Sequence, residues 1–144
     1  MKFPLFIPFV EHLGFELIRF GGGSSVLALD LRQELCNSWN VAHGGLTMTL
    51  MDVAMAHAAR NPDDMNSPGL VTIEMKTSFM RPGLGRLVAH GKLLHRSTTM
   101  AFMECSVVDD KAKLVAHATG TFKFLKALPT DSGLATQVTH ATPQ

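Results

Sequence analysis

The residues best suited to chemistry fall in one run, Asn37-Ser38-Trp39-Asn40-Val41-Ala42-His43-Gly44-Gly45, and in the apolar stretch that carries Asp52 behind it. Asp52 lies between Met51 and Val53, with Met48 and Ala56 one helical turn to either side. An ionised carboxylate in a dry interior is costly unless it is paired or wet. Asp52 therefore sits at a cleft or holds a strong partner. Partial burial would raise its pKa toward the range of a general base. The plainer alternative is a buried aspartate that caps backbone groups of a neighbouring segment.

The other candidates also have two readings each. Gly44 and Gly45 at a helix start leave backbone N–H groups open to whatever lies above them, and the helix dipole adds positive potential there. Such a place stabilises an oxyanion forming on a carbonyl oxygen. The alternative is that the two glycines only allow close packing. Asn37 either holds a water or a carbonyl through its amide, or is a turn residue after a strand. His43, directly before the glycine pair, fits a cap or an orienting group better than a base. No His, Cys, Asp and Glu set has metal-ligand spacing, so no metal and no resident cofactor is expected. Ser24, Ser25 and Ser38 lack the context of a nucleophile elbow. Met48, Met51 and Met55 at helical spacing read as core.

These residues need a frame. The spacing predicts a helix over residues 42–59, apolar on nearly every side and therefore buried, roughly 27 Å long at about 1.5 Å per residue. Alternation then predicts strands over 71–79, 86–95, 100–108 and 114–124, with Arg81-Pro82-Gly83 and Asp109-Asp110-Lys111 as breaks. In the first of these, Val71, Ile73, Met75, Thr77 and Phe79 share one face and Thr72, Glu74, Lys76 and Ser78 the other. Upstream, residues 6–13 read as a short helix, and 15–20 and 26–31 as two strands around Gly21-Gly22-Gly23. Short links favour antiparallel neighbours. The result is an α+β layer arrangement over residues 1–126, followed by a periodicity-free, mobile tail over 127–144. One helix covers one face of a sheet, so the other face and the edges call for a partner subunit.

Composition sets the class. The chain has 144 residues, enough for one domain, with 46% hydrophobic residues, 17% charged residues and a formal net charge of +1. Near-neutrality gives no reason to expect nucleic acid or an acidic membrane as partner. Cys36 and Cys105 form no disulfide framework, which points to a reducing, cytoplasmic compartment. The apolar start is short and broken by Pro4 and Pro8, unlike a secretory signal, and no stretch approaches the length of a membrane span.

The order and spacing of Asn37, then His43-Gly44-Gly45 six residues on, then Asp52 seven after the second glycine, resemble the PaaI-like acyl-CoA thioesterases of the hotdog superfamily. The resemblance extends to Ser78-Phe79-Met80-Arg81-Pro82-Gly83 and spans roughly residues 5–125. It departs at Asn40, where many relatives have glycine. The resemblance implies a hotdog fold, an antiparallel sheet wrapped around one long central helix. It implies hydrolysis of an aryl- or medium-chain acyl-CoA, with Asp52 as general base or nucleophile and the Gly44 N–H as oxyanion donor. Asn37 would place carbonyl or water, and Thr72 would match an assisting hydroxyl on the strand after the helix. It implies a site built across a dimer interface, with the acid from one subunit and the glycine from the other; together with the uncovered sheet face, this leads us to expect a homo-oligomer, a dimer of dimers. Coenzyme A, part of the substrate, would need cations: Arg81, Arg86, Lys92 and Arg96, with Ser97 and Thr98 as hydroxyl donors. Two other readings remain: a hotdog dehydratase or hydratase, which needs an acid/base pair such as one using His43, and a non-catalytic acyl-CoA binder.

Overall fold

The computed structural model describes residues 1–64 and 66–139. It begins with a short helix, α1 (Pro8–Leu13), stopped by Gly14 at φ 76°. A hairpin follows, β1 (Glu16–Gly21) and β2 (Ser24–Asp30), and then the long helix α2 (Gly44–Ala58). Four strands complete the sheet: β3 (Gly69–Phe79), β4 (Arg86–Arg96), β5 (Met100–Val108) and β6 (Leu114–Leu125). The sheet order is β1-β2-β4-β5-β6-β3, and every neighbouring pair is antiparallel. α2 touches all of these strands, so the sheet curls around it in the hotdog arrangement.

α2 is buried because its residues leave almost no polar face. Leu50, Met51, Ala54 and Met55 are fully enclosed, and Met48, Thr49, Asp52 and Ala56 form a half-buried stripe. The helix starts two residues later and ends one residue earlier than the spacing predicts, because His43 caps it and Ala59 closes it. It also lies unusually close to the sheet. A side chain at Gly91 would meet the Ala54 carbonyl oxygen at 2.6 Å. The room left by that glycine lets the Ser25 hydroxyl donate to the same carbonyl at 2.5 Å. The close-packing glycine is thus Gly91, on β4, and not the pair that opens the helix.

The end of the chain departs from the expected tail. β7 (Leu128–Thr130) and β8 (Gly133–Ala135) form a hairpin, and the chain then returns to the N-terminal segment. Phe6 N–H donates to the Val138 carbonyl, and Leu5 bridges Thr139. These strands are three residues long and exposed on both faces, so no alternation marks them. Residues 140–144 lie outside the described part of the chain. No helix among the described residues is long and apolar enough to cross a membrane.

His57, near the end of α2, is 2% exposed and has Phe3 and Phe20 edge-on to its ring. Its Nδ1–H donates to the Val53 carbonyl at 2.8 Å, while Nε2 has no partner among the described residues. Burial pushes its pKa from 6.5 down to about 4. The unfolded chain therefore takes up this proton at a higher pH than the folded chain does. Stability is expected to fall by about 3 kcal/mol as pH drops from above 6.5 to about 4. Urea melts of wild type and His57→Leu across this window test it. The gap between the two proteins should change with pH; a constant gap contradicts the assignment.

Candidate active site

Asp52 stands two turns into α2, on the stripe that faces away from the core. Its Oδ1 accepts a hydrogen bond from Thr72 Oγ1 at 2.5 Å. Burial raises the carboxyl pKa above its ordinary value, and the Thr72 bond opposes that rise. The carboxylate is thus neither dry nor capping a backbone group. It is half-buried and held by one hydroxyl.

Thr72 reaches Asp52 because strict alternation fails in β3. The register against β6 slips between Thr72 and Glu74, with Ile73 as the extra residue. Thr72 pairs with Phe122, Thr77 with Ala118 and Phe79 with Ala116, all partners buried under α2. The bulge therefore moves Thr72 onto the helix side with Met75, Thr77 and Phe79. The expected grouping of Thr72 with Glu74, Lys76 and Ser78 is wrong for that physical reason. Thr72→Val should keep the fold but remove the contact that lowers the Asp52 pKa. The acid limb of the kcat/KM profile should then move to higher pH. An unshifted limb would show that Thr72 does not hold the base.

At the other end of the site, His43 is the N-cap of α2. Its Nδ1 accepts from Gly45 N–H at 2.9 Å. That takes one of the two glycine amides. The Gly44 N–H makes no hydrogen bond among the described residues. Packing does not demand a glycine there: an added Cβ would meet the Phe79 ring at 3.4 Å, an ordinary contact. Gly44 lines a cleft of about 340 Å³ shared with Asn37, Phe79 and Arg81.

Asn37 takes the turn role. Its Oδ1 accepts from Trp39 N–H at 2.9 Å and Val41 N–H at 3.4 Å. Its side-chain NH₂ has no hydrogen-bond partner among the described residues, and Asn37 borders the Gly44 cleft. Asn40 sits at φ 62°, a left-handed conformation that glycine adopts freely and asparagine tolerates. The loop before His43 thus keeps its shape without a glycine.

The fold divides these residues into two groups. Asn37, His43 and Gly44 gather at the start of α2; Asp52 and Thr72 lie eight residues further on, about 12 Å along the helix axis. The six candidate coenzyme A contacts do not form one group: Arg96, Ser97 and Thr98 are neighbours in one turn, and the other three lie apart. Arg81 joins the Gly44 cleft. Arg86 is held by Glu16 at 2.7 Å and Asp30 at 3.1 Å. Arg96 lies over the Phe124 ring at 4.2 Å. Lys92 is on the sheet face away from α2, in register with Glu104. Ser97 Oγ accepts from Thr99 and Met100 amides in its own turn, and Thr98 is exposed. Cys105 is no alternative nucleophile, since burial pushes its thiol up to about 12.

A sheet wrapped on one buried helix defines the hotdog fold. Residues 40–116 match the family model described as Thioesterase superfamily, and the chain belongs to that family. It is a PaaI-like thioester hydrolase. It is 27% identical to acyl-coenzyme A thioesterase PaaI of Escherichia coli over 110 residues, 74% of each chain. Among solved structures, a protein of Pseudomonas aeruginosa is 28% identical and superposes with a TM-score of 0.79, covering 85% of this chain and 97% of that one. The Escherichia coli PaaI structure gives a TM-score of 0.76 at 22% identity, covering 90% and 88%.

Proposed function

We propose that this protein hydrolyses the thioester of an aryl- or medium-chain acyl-CoA to the free acid and CoA. The observation that carries the reading is the raised, half-buried Asp52 carboxylate held by Thr72 on the central helix of a thioesterase fold. Asp52 activates a water or attacks the carbonyl carbon itself. The Gly44 N–H receives the oxyanion, the Asn37 amide places water or carbonyl, and His43 fixes the helix start. The thiolate leaves as CoA, with Arg81 beside the cleft as its nearest candidate cation.

Two copies are needed for this chemistry. A carbonyl group is far shorter than the roughly 12 Å between Gly44 and Asp52 in one chain, so one thioester cannot meet both. The outer edge of β3, an eleven-residue strand with no neighbour on that side among the described residues, is open for a second copy. A two-fold pairing along that edge would bring one chain's Asp52 toward the other's Gly44. A dimer of such dimers remains our proposal for the full assembly. A dehydratase or hydratase is less well served, since His43 Nδ1 is committed to its cap. Release of free thiol from acyl-CoA, followed with a thiol reagent, tests the function: hydrolysis liberates it, whereas hydration or simple binding does not.

A further inference from the structure

We propose that Arg60 anchors a carboxylate at the far end of the acyl-binding chamber, so that the preferred thioesters carry an acyl group ending in a carboxylate. The proposal rests on the Asp52 reading above and extends it to the acyl group.

Asp52, Ala56 and Arg60 follow each other at four-residue steps along α2 and just past its end. On the facing strand, Leu70 lies two residues before Thr72 and pairs with Phe124 on the helix side. A cavity of about 280 Å³ opens between them, one turn beyond Asp52. Leu5, Phe6, Ile7, Ala56, Leu70 and Val138 make it mostly apolar. An apolar cavity of about 150 Å³ suffices for benzene, so a short alkyl chain or a single ring fits here. His57 also borders it and is neutral at ordinary pH.

Arg60 is the only charged residue lining this chamber among the described residues, and it also borders a second, more polar cavity of about 390 Å³. Its residue is 9% exposed. A guanidinium has five N–H donors. Here the side chain makes one long contact, Nη1 to the Pro68 carbonyl at 3.5 Å, at the limit of a hydrogen bond. It forms no ion pair among the described residues. Asp64 acts on it only through space, and its own Oδ1 accepts from the Asn66 amide. Buried arginine is normally paired, because an unpaired buried charge is costly. A plain alkyl acyl group would leave those donors to the Pro68 carbonyl and to water in the neighbouring polar cavity. A carboxylate at the end of an apolar chain takes both its donors and its charge. Asp52 and Arg60 are about 12 Å apart along the axis, and the arginine side chain can shorten that span.

The test compares adipyl- and suberyl-CoA with hexanoyl- and octanoyl-CoA on wild type, Arg60→Met and Arg60→Lys. Wild type should favour the carboxylated pair by roughly 10- to 100-fold in kcat/KM, the range of a hydrogen bond to a charged group. Arg60→Met should lose that preference while hydrolysing the plain pair normally, and Arg60→Lys should keep part of it. Equal rates on both pairs in wild type would overturn the proposal. So would an Arg60→Met variant that slows all four alike, which would assign Arg60 to CoA or to the fold. Melting temperature with free adipate or hexanoate separates this from failure of the thioesterase reading. A rise with adipate alone, absent in Arg60→Met, supports the anchor even where no thioester is cleaved.

Discussion

Asp52→Asn is expected to lower kcat by about 10²–10⁴, the usual loss on removing a general base, and further if the carboxylate is the nucleophile. The melting temperature should hold or rise. The sign follows from the raised pKa of Asp52, which means that the fold prefers the neutral carboxyl. Its ionisation therefore lowers stability as pH rises through the folded pKa, and at neutral pH the asparagine variant escapes that penalty. The amide oxygen can still accept from Thr72, so the local hydrogen bond survives. An aspartate held only for structure gives the opposite pair of results, a less stable protein with near-normal turnover.

Gly44→Pro should lower kcat by about 10²–10³, the effect of deleting one oxyanion donor. Proline removes the N–H without breaking the helix. Residue 44 is the first of α2, where proline is favoured, and His43 at ψ 135° already has the conformation that precedes proline. Gly44→Ala is the steric control. It keeps the amide and meets Phe79 at ordinary contact distance, so its kcat should stay near wild type. If alanine is as damaging as proline, the glycine serves space and not the amide.

Much of this site was legible in the sequence, for specific reasons. An acid flanked by Met48, Met51, Val53 and Ala56 must find a cleft or a partner, and Asp52 has its partner in Thr72. A helix apolar on nearly every side must be enclosed, and α2 is, apart from the half-buried stripe that carries Asp52. His43 before two glycines reads as a cap and is one. What escaped depends on contacts between distant parts of the chain. The slip at Ile73 breaks a period of two, and nothing in Val71-Thr72-Ile73-Glu74 marks it; only pairing with β6 does. Arg86 looks free until Glu16, seventy residues earlier, is seen beside it. The final hairpin is exposed on both faces and is tied down by Phe6 and Leu5. Arg60 went unread in the sequence, and its place between two cavities appears only when β3 and the returning end are in place.

The central claim is that Asp52 of one chain and Gly44 of another serve the same thioester. Co-expression of Asp52→Asn and Gly44→Pro subunits, each with its own tag, allows the mixed oligomer to be isolated and assayed for thiol release. In a mixed dimer, one site joins an intact Gly44 to an intact Asp52, and the other site has lost both. The account predicts about half of wild-type activity per dimer from this one intact site. A mixed oligomer no more active than its two parents would contradict it, because that is the result expected if each chain builds its site alone or if either residue plays no part.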